Sequence, residues 1–498
     1  MSITTSDTHR SPDISPKSRS RWLALAVIAV SQLLIVLDAT IVNIALPTAQ
    51  KALDISDADR QWMITAYTLA FGGLLLLGGR IADFTGRKRA FIIGLLGFAA
   101  ASALGGLATN AFMLFSARAL QGAFGALMAP AALSLLTVTF TEPKERARAF
   151  GVYGAIAGGG GAVGLLLGGL LTEYASWRWT LLVSTPIAII AAVAAVRFVG
   201  ESRAEGNTRY DLPGALTSTA GLVALVYGFT KAAEDGWDSA TTIGFLVAAV
   251  VLLVAFVLIE LRSSHPLLPM RVILDRNRGG SFLTALLIGA GLFGMFLFLT
   301  FYLQITLGYS ALMSGVAFLP FTVGIIVGAG ISAQVQTRLG PRVLMVAGLI
   351  LATIGMVLLT QIGVDTSFWT HVFPAELVLS LGLGITFGPM SNTALVGVAD
   401  HDAGVASALI NTTQQIGGSL GTALLNTIFT SAVAAYIADH QASATNAASL
   451  TATATVHSYT VAFWWSAGLI ALAAVIAFTL IRAGRDEVAS TPGTPAMV

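Results

Sequence analysis

Three charged residues stand alone inside long apolar runs, where a charge is expensive: Asp38, Arg118 and Glu376. Asp38 lies midway along the first run, in Leu37-Asp38-Ala39-Thr40-Ile41-Val42-Asn43-Ile44-Ala45-Leu46-Pro47. An Asp at the centre of a membrane helix costs about 2.5–3.5 kcal/mol on insertion scales, so it must face a cavity or a partner. A carboxylate that takes up and releases a proton while access alternates is what proton coupling requires. The plainer alternative is a structural Asp bonded to a neighbouring helix. Arg118, in Arg118-Ala119-Leu120-Gln121-Gly122-Ala123-Phe124-Gly125, stays charged when buried and has to be paired or hydrated. It can hold a carboxylate deprotonated, with Asp38 one candidate, or clamp backbone carbonyls. Glu376, beside Pro374 and His371, is a second candidate for proton coupling. At about a turn and a half into its run, it can also snorkel to water.

Other motifs set turns and packing. Gly79-Arg80-Ile81-Ala82-Asp83-Phe84-Thr85-Gly86-Arg87-Lys88 joins two runs: Gly79 and Gly86 allow a tight turn, and Asp83 can cap or pair. The basic residues hold the loop on one side of a membrane. A later run is dense in Gly, ending Gly164-Leu165-Leu166-Leu167-Gly168-Gly169, which gives a smooth face for close packing or a bend. Asn43, Gln121, Gln304, Asn411, Gln414 and Gln415 are uncharged polar residues within apolar runs and candidates to line a substrate cavity; Asn411, Gln414 and Gln415 can instead link helices. The GxxxxGK[ST] phosphate loop is absent, which excludes a primary pump within this chain. Six scattered His without metal-ligand spacing, and no Cys, make a metal site or a cofactor unexpected. A proton gradient acting through Asp38 is the expected energy source.

The elements that must position these residues follow from composition. The chain has 498 residues, 55% hydrophobic and 10% charged, with mean hydropathy +0.81, against about 25% charged in a soluble protein. That excludes a soluble enzyme, a disordered chain and a basic nucleic-acid binder. The apolar runs are near the roughly 20 residues that cross a bilayer as a helix. Fourteen spans are predicted, at 22–46, 61–79, 90–108, 112–139, 150–172, 178–198, 212–230, 241–261, 281–305, 314–335, 343–361, 371–393, 404–431 and 460–482. With both termini cytoplasmic, twenty-two of the 27 Lys and Arg fall in cytoplasmic loops, as the positive-inside rule requires. The 79–88 loop has an echo 254 residues later, around Gly340-Pro341-Arg342. The expected domains are therefore a disordered cytoplasmic tail (1–20), a six-helix bundle (21–200), a linker carrying two inserted helices (201–275), a second six-helix bundle (276–485) and a cytoplasmic tail (486–498). Two such halves with a path between them are a recurring transporter plan.

These motifs resemble the fourteen-span drug–proton antiporters of the major facilitator superfamily, over about residues 22–482. Leu37–Pro47 is similar to that family's first-helix motif, Gly79–Lys88 to its cytoplasmic latch, and Arg118, Gln121 and Gly122 to its fourth-helix motif. The resemblance implies proton coupling at Asp38 and Arg118, and a latch of Gly79, Asp83, Gly86, Arg87 and Lys88. It implies an all-α fold of two six-helix bundles plus two inserted helices, and export of drugs, antibiotics or other lipophilic compounds, without enzymatic activity. The partners implied are a small-molecule substrate, protons and the lipid of a bacterial cytoplasmic membrane, with the monomer as the functional unit and no nucleic acid. Leu165 departs from the family, which has Pro there in the motif associated with export, and Ser184 stands where Asn is usual. A dedicated exporter of one metabolite, or a proton-symport importer, are the alternatives.

Overall fold

The computed structural model describes residues 16–203, 211–263, 266, 268, 270–398, 403–441 and 446–483. Residues 1–15 and 486–498 of the expected tails lie outside them. The described chain is helical from end to end. In order it forms α1 (Pro16–Ala52), α2 (Trp62–Thr85), α3 (Arg87–Gly106), α4 (Ala111–Thr139), α5 (Pro143–Tyr174), α6 (Trp179–Leu182), α7 (Ser184–Phe198), α8 (Leu212–Asp235) and α9 (Ala240–Arg262). Then come α10 (Met270–Ile273), α11 (Arg276–Phe301), α12 (Ala311–Ala317), α13 (Leu319–Leu339), α14 (Pro341–Leu359), α15 (Phe373–Leu395), α16 (Ala403–His440) and α17 (Ala447–Leu480). Wider π-type turns at Tyr302–Thr306 and Phe368–Val372 extend α11 and lead into α15.

Among the described residues, twelve helices are long and apolar enough to cross a membrane, counting α6–α7 and α12–α13 as one each, and α2, bent by 54° near residue 76, makes thirteen. The 32-residue α5 completes fourteen in chain order. At 1.5 Å per residue, each is long enough for the roughly 30 Å of hydrocarbon. Side chains set the helix starts: Asn110 Oδ1 accepts from Met113 N at 2.9 Å, and Asp275 Oδ1 accepts from Asn277 N and Arg278 N at 3.0 Å each. Each satisfies amide donors that a helix start leaves free. The exposed valines of α9, among them Val247, Val250, Val251 and Val254, form a face that suits lipid and not water.

Helices α1–α7 pack among themselves, as do α11–α17; α8 and α9 pair with each other, and α8 lies against both α2 and α16. The internal repeat is visible in the backbone. Gly86, between α2 and α3, has φ +110, and Gly340, 254 residues later between α13 and α14, has φ +77. Lys88 Nζ donates to Val196 O at 2.8 Å, and Arg342, at the same offset, donates to Phe478 O at 2.7 Å. Each ties the turn to the last helix of its own bundle.

Two helices are longer than hydropathy suggests. Helix α16 runs on to His440, and α17 begins at Ala447 instead of residue 460. The added turns of α17 are rich in Thr, which lowers mean hydropathy. Thr451, Thr453 and Thr455 donate to carbonyls four residues back, so their hydroxyls are satisfied within the helix.

Candidate functional site

Asp38 and Arg118 meet. They are 0% and 2% exposed, with Arg118 Nη1 2.7 Å from Asp38 Oδ2. Gln121 joins the two: its Nε2 donates to Asp38 Oδ1 at 3.0 Å and its Oε1 accepts from Arg118 Nη1 at 2.9 Å. Gln121 Nε2 also donates to Ser102 Oγ at 2.8 Å, and Arg118 Nε donates to Met63 O at 2.9 Å. The Arg118 guanidinium lies over the Tyr67 ring, 4.5 Å from its centre. Four helices, α1 to α4, therefore converge on one neutral, hydrogen-bonded charge pair.

Close backbone approach makes this geometry possible. A Cβ on Gly122 would run into Tyr67 O and come within 2.9 Å of Phe71 N, so only Gly lets α4 lie on the α2 backbone next to Arg118. On the other side of α1, a Cβ on Gly164 would meet the hydroxyl of Thr40. The Gly face of α5 thus presses on the turn of α1 that carries Asp38. Helix α5 is continuous through Leu165, which is buried and turns its carbonyl towards Gly315. A Cβ on Gly168 would come within 2.8 Å of Ile41 O, and Gly169 faces Leu312 of α12.

The remaining candidates lie in several places. Gln121 is wholly buried in the charge cluster. Asn43 bonds Ala39 O at 2.9 Å, and Gln304 reaches across to Ile44 O at 2.8 Å. Asn411 is exposed, while Gln414 and Gln415 are half-buried on α16, where Gln415 packs against Gly72 of α2. Glu376 does not snorkel. It is 0% exposed, and neither carboxyl oxygen has a partner among the described residues. The expected 79–88 loop is a single residue, Gly86: Gly79 and Asp83 lie within α2, which runs on to Thr85, and Asp83 pairs with Arg87 of α3 at 2.8 Å. Glu201 accepts from Lys88 N at 3.1 Å and would collide with any side chain at Gly86. Gly79 packs on Pro130.

Sequence reasoning missed the neutral members of the cluster, Ser102 and Tyr67, because nothing marks a lone Ser or Tyr in an apolar run. It did not single out Arg60 either, since a basic residue between two apolar runs reads as an ordinary loop charge. Arg60 is 3% exposed and donates to Asn426 Oδ1 at 3.2 Å, joining the first bundle to the second. Burial pulls its pKa below the usual guanidinium value, opposed by Tyr459 and Asp57. Among the described residues, the hydrogen bonds that join the bundles directly lie at mid-depth or towards the Arg60 end. They include Thr68–Ser419 at 2.6 Å and Leu312 N to Glu173 at 3.0 Å.

Two helix bundles related by a repeat, closed against each other along one end and holding a buried ion pair at mid-depth, define a polytopic membrane transporter. The sequence pattern of the Major Facilitator Superfamily matches residues 28–422, and the chain belongs to that family. It is 51% identical over 504 residues to the puromycin resistance protein pur8 of Streptomyces alboniger, which spans 98% of this chain and 99% of that protein. It is 38% identical over 416 residues to the cephamycin export protein CmcT of Amycolatopsis lactamdurans, covering 83% and 86% of the two chains. In fold it is similar to a bacterial homolog of the human lysosomal transporter Spinster, with TM-score 0.66 at 16% identity over 94% of this chain and 98% of that one.

Proposed function

We propose that this protein exports lipophilic or amphipathic small molecules, drugs and antibiotics among them, across a bacterial cytoplasmic membrane in exchange for protons. The observation that carries the coupling is Asp38, fully buried at mid-depth with Arg118 2.7 Å away. A proton arriving on Asp38 removes its charge and leaves Arg118 unpaired in apolar surroundings. Breaking a buried pair costs about 3–5 kcal/mol, so α1 and α4 must rearrange to give Arg118 new partners. One charge moving through 100 mV supplies about 2.3 kcal/mol, the same order, so one proton can drive one rearrangement. Full-length similarity to a resistance protein, and similarity to an export protein, support the outward direction, which Leu165 left open.

In this reading both termini and the Gly86 end face the cytoplasm, as the Lys and Arg distribution supports. Residues 21–200 and 276–485 are the moving halves, with 201–275 as the inserted pair. The protein works as a monomer. The described conformation is then closed outside. Gly79, Asp83, Gly86, Arg87 and Lys88 latch the cytoplasmic side in the opposite state, and Glu376 is a second protonatable carboxyl. Asn43, Gln304, Asn411, Gln414 and Gln415 lie along the substrate path. A dedicated exporter of one compound is the second reading, favoured because pur8 and CmcT are each named for a single antibiotic.

The test is growth inhibition of a susceptible host with and without the gene, against puromycin and a panel of unrelated lipophilic drugs, each with and without a proton uncoupler. Protection against several compounds, lost with the uncoupler, is expected. Protection against one compound alone supports the second reading, and protection that survives the uncoupler removes the proton from the scheme.

A further inference from the structure

The seam between the bundles at the Arg60 end is built around one guanidinium. The Arg60 Cζ lies 4.4 Å from the centre of the Phe301 ring, 4.6 Å from Phe429 and 5.8 Å from Phe298. Phe429 stacks on Phe298 at 5.2 Å and on Tyr459 at 5.1 Å, so the rings support one another. Asn426 turns its Oδ1 to Arg60 and donates through Nδ2 to the carbonyls of Asp57 and Ala58, at 2.9 and 3.1 Å. Asp57 Oδ1 lies 3.4 Å from Arg60 Nη1, while Nη2 has no partner among the described residues. The rings and Asn426 belong to α11, α16 and α17; the cation belongs to the turn between α1 and α2.

An aromatic face attracts a cation, and more strongly once water is excluded. Arg suits such a place because its delocalised guanidinium is weakly hydrated and stacks on rings. The rings and the cation sit on parts that separate when the seam opens, so this cage holds Arg60 in one state and loses it in the other. We propose that Phe298, Phe301, Phe429 and Asn426 Oδ1 form a cation-binding site of the second bundle. Arg60 fills it as a tethered occupant that closes the seam. When the seam is open, the site takes the ammonium or guanidinium group of an amphiphilic compound, in competition with Arg60. A ligand that binds only the open state shifts the population towards it. The inference rests on the alternating-access reading but is independent of the proton and of the direction of transport.

The chain has no Cys, so a single one at Thr422, buried on α16 one turn from Asn426, reports seam opening. Its labelling by a membrane-impermeant maleimide is followed in vesicles that expose the Arg60 end, with no substrate and no gradient. Arg60→Ala is expected to raise the labelling rate roughly tenfold, and millimolar guanidinium chloride, small enough to refill the space that the missing side chain leaves between Asp57 and the rings of the closed seam, to slow it again. The slowing should vanish when Phe301→Leu is added. With Arg60 intact, tetraethylammonium on the same side should speed labelling, and Phe301→Leu should abolish that response, which keeps the test open if Arg60→Ala misfolds. Unchanged labelling in folded Arg60→Ala, or cation effects that ignore Phe301, overturns the proposal. Loss of uncoupler sensitivity in transport, with these labelling results intact, would sink proton coupling and leave the cage standing.

Discussion

At the residue scale the chemistry rests on how few charges enter the bilayer and what each one touches. Asp38 and Arg118 were legible singly, because a charge in an apolar run is conspicuous. Their pairing was legible only as one candidate, because 80 residues separate them and only the packing of α1 on α4 closes the gap. Gln121 was read as a cavity wall and instead bridges the pair, which a one-dimensional pattern cannot distinguish. Glu376 differs in kind, since it is as buried as Asp38 but has no cation beside it among the described residues. Counting from the π-type turn at Phe368, it lies at nearly the same depth in its helix as Arg118 does in α4. Glu376→Gln keeps the shape and removes the ionisable group. We expect normal yield and melting temperature, with fewer protons moved per substrate when both fluxes are measured together. An unchanged ratio would make the carboxyl structural.

At the element scale, glycines decide which helices touch and one missing proline decides whether α5 bends. The Gly motif of α5 was legible as a packing face, but its partners, α1 at Thr40 and α12 at Leu312, depend on the tertiary arrangement. Helix α5 is unbroken at Leu165, as the loss of the motif proline implies. Proline inside a helix removes a backbone bond and costs about 3 kcal/mol or more. Leu165→Pro should therefore lower the melting temperature of the detergent-solubilised protein by several degrees. A melting temperature equal to wild type would mean that α5 already tolerates the bent form. The added length of α17 was hidden because hydropathy counts a Thr hydroxyl as polar even when its own helix satisfies it.

At the scale of the whole molecule, the number of spans was legible in the apolar runs and the charged loops between them. The closed seam was not, since it joins residues such as Arg60 and Asn426, 366 positions apart. Part of that seam can be separated from the proton by pH. Ser310 and the Leu312 amide hold the Glu173 carboxylate below its ordinary pKa. For a lowered carboxylate, the stabilisation is present above its unperturbed value and is lost only as pH falls through the lowered one. The Glu173 contact should thus stay intact from neutral to mildly acidic pH. Maleimide labelling of Cys at Thr422 should show the same pH profile with Glu173→Gln as without it between pH 8 and about 5.5. A profile that shifts with Glu173→Gln would transfer the pH response from the buried pair to the seam.

The central claim is that Asp38 couples the proton to the substrate. It is tested most directly in proteoliposomes, by imposing a pH gradient and measuring uphill substrate movement together with substrate binding, for wild type and Asp38→Asn. The account predicts that Asp38→Asn binds substrate with affinity close to wild type but no longer concentrates it when the gradient is applied. Gradient-driven accumulation by Asp38→Asn at the wild-type rate would contradict it.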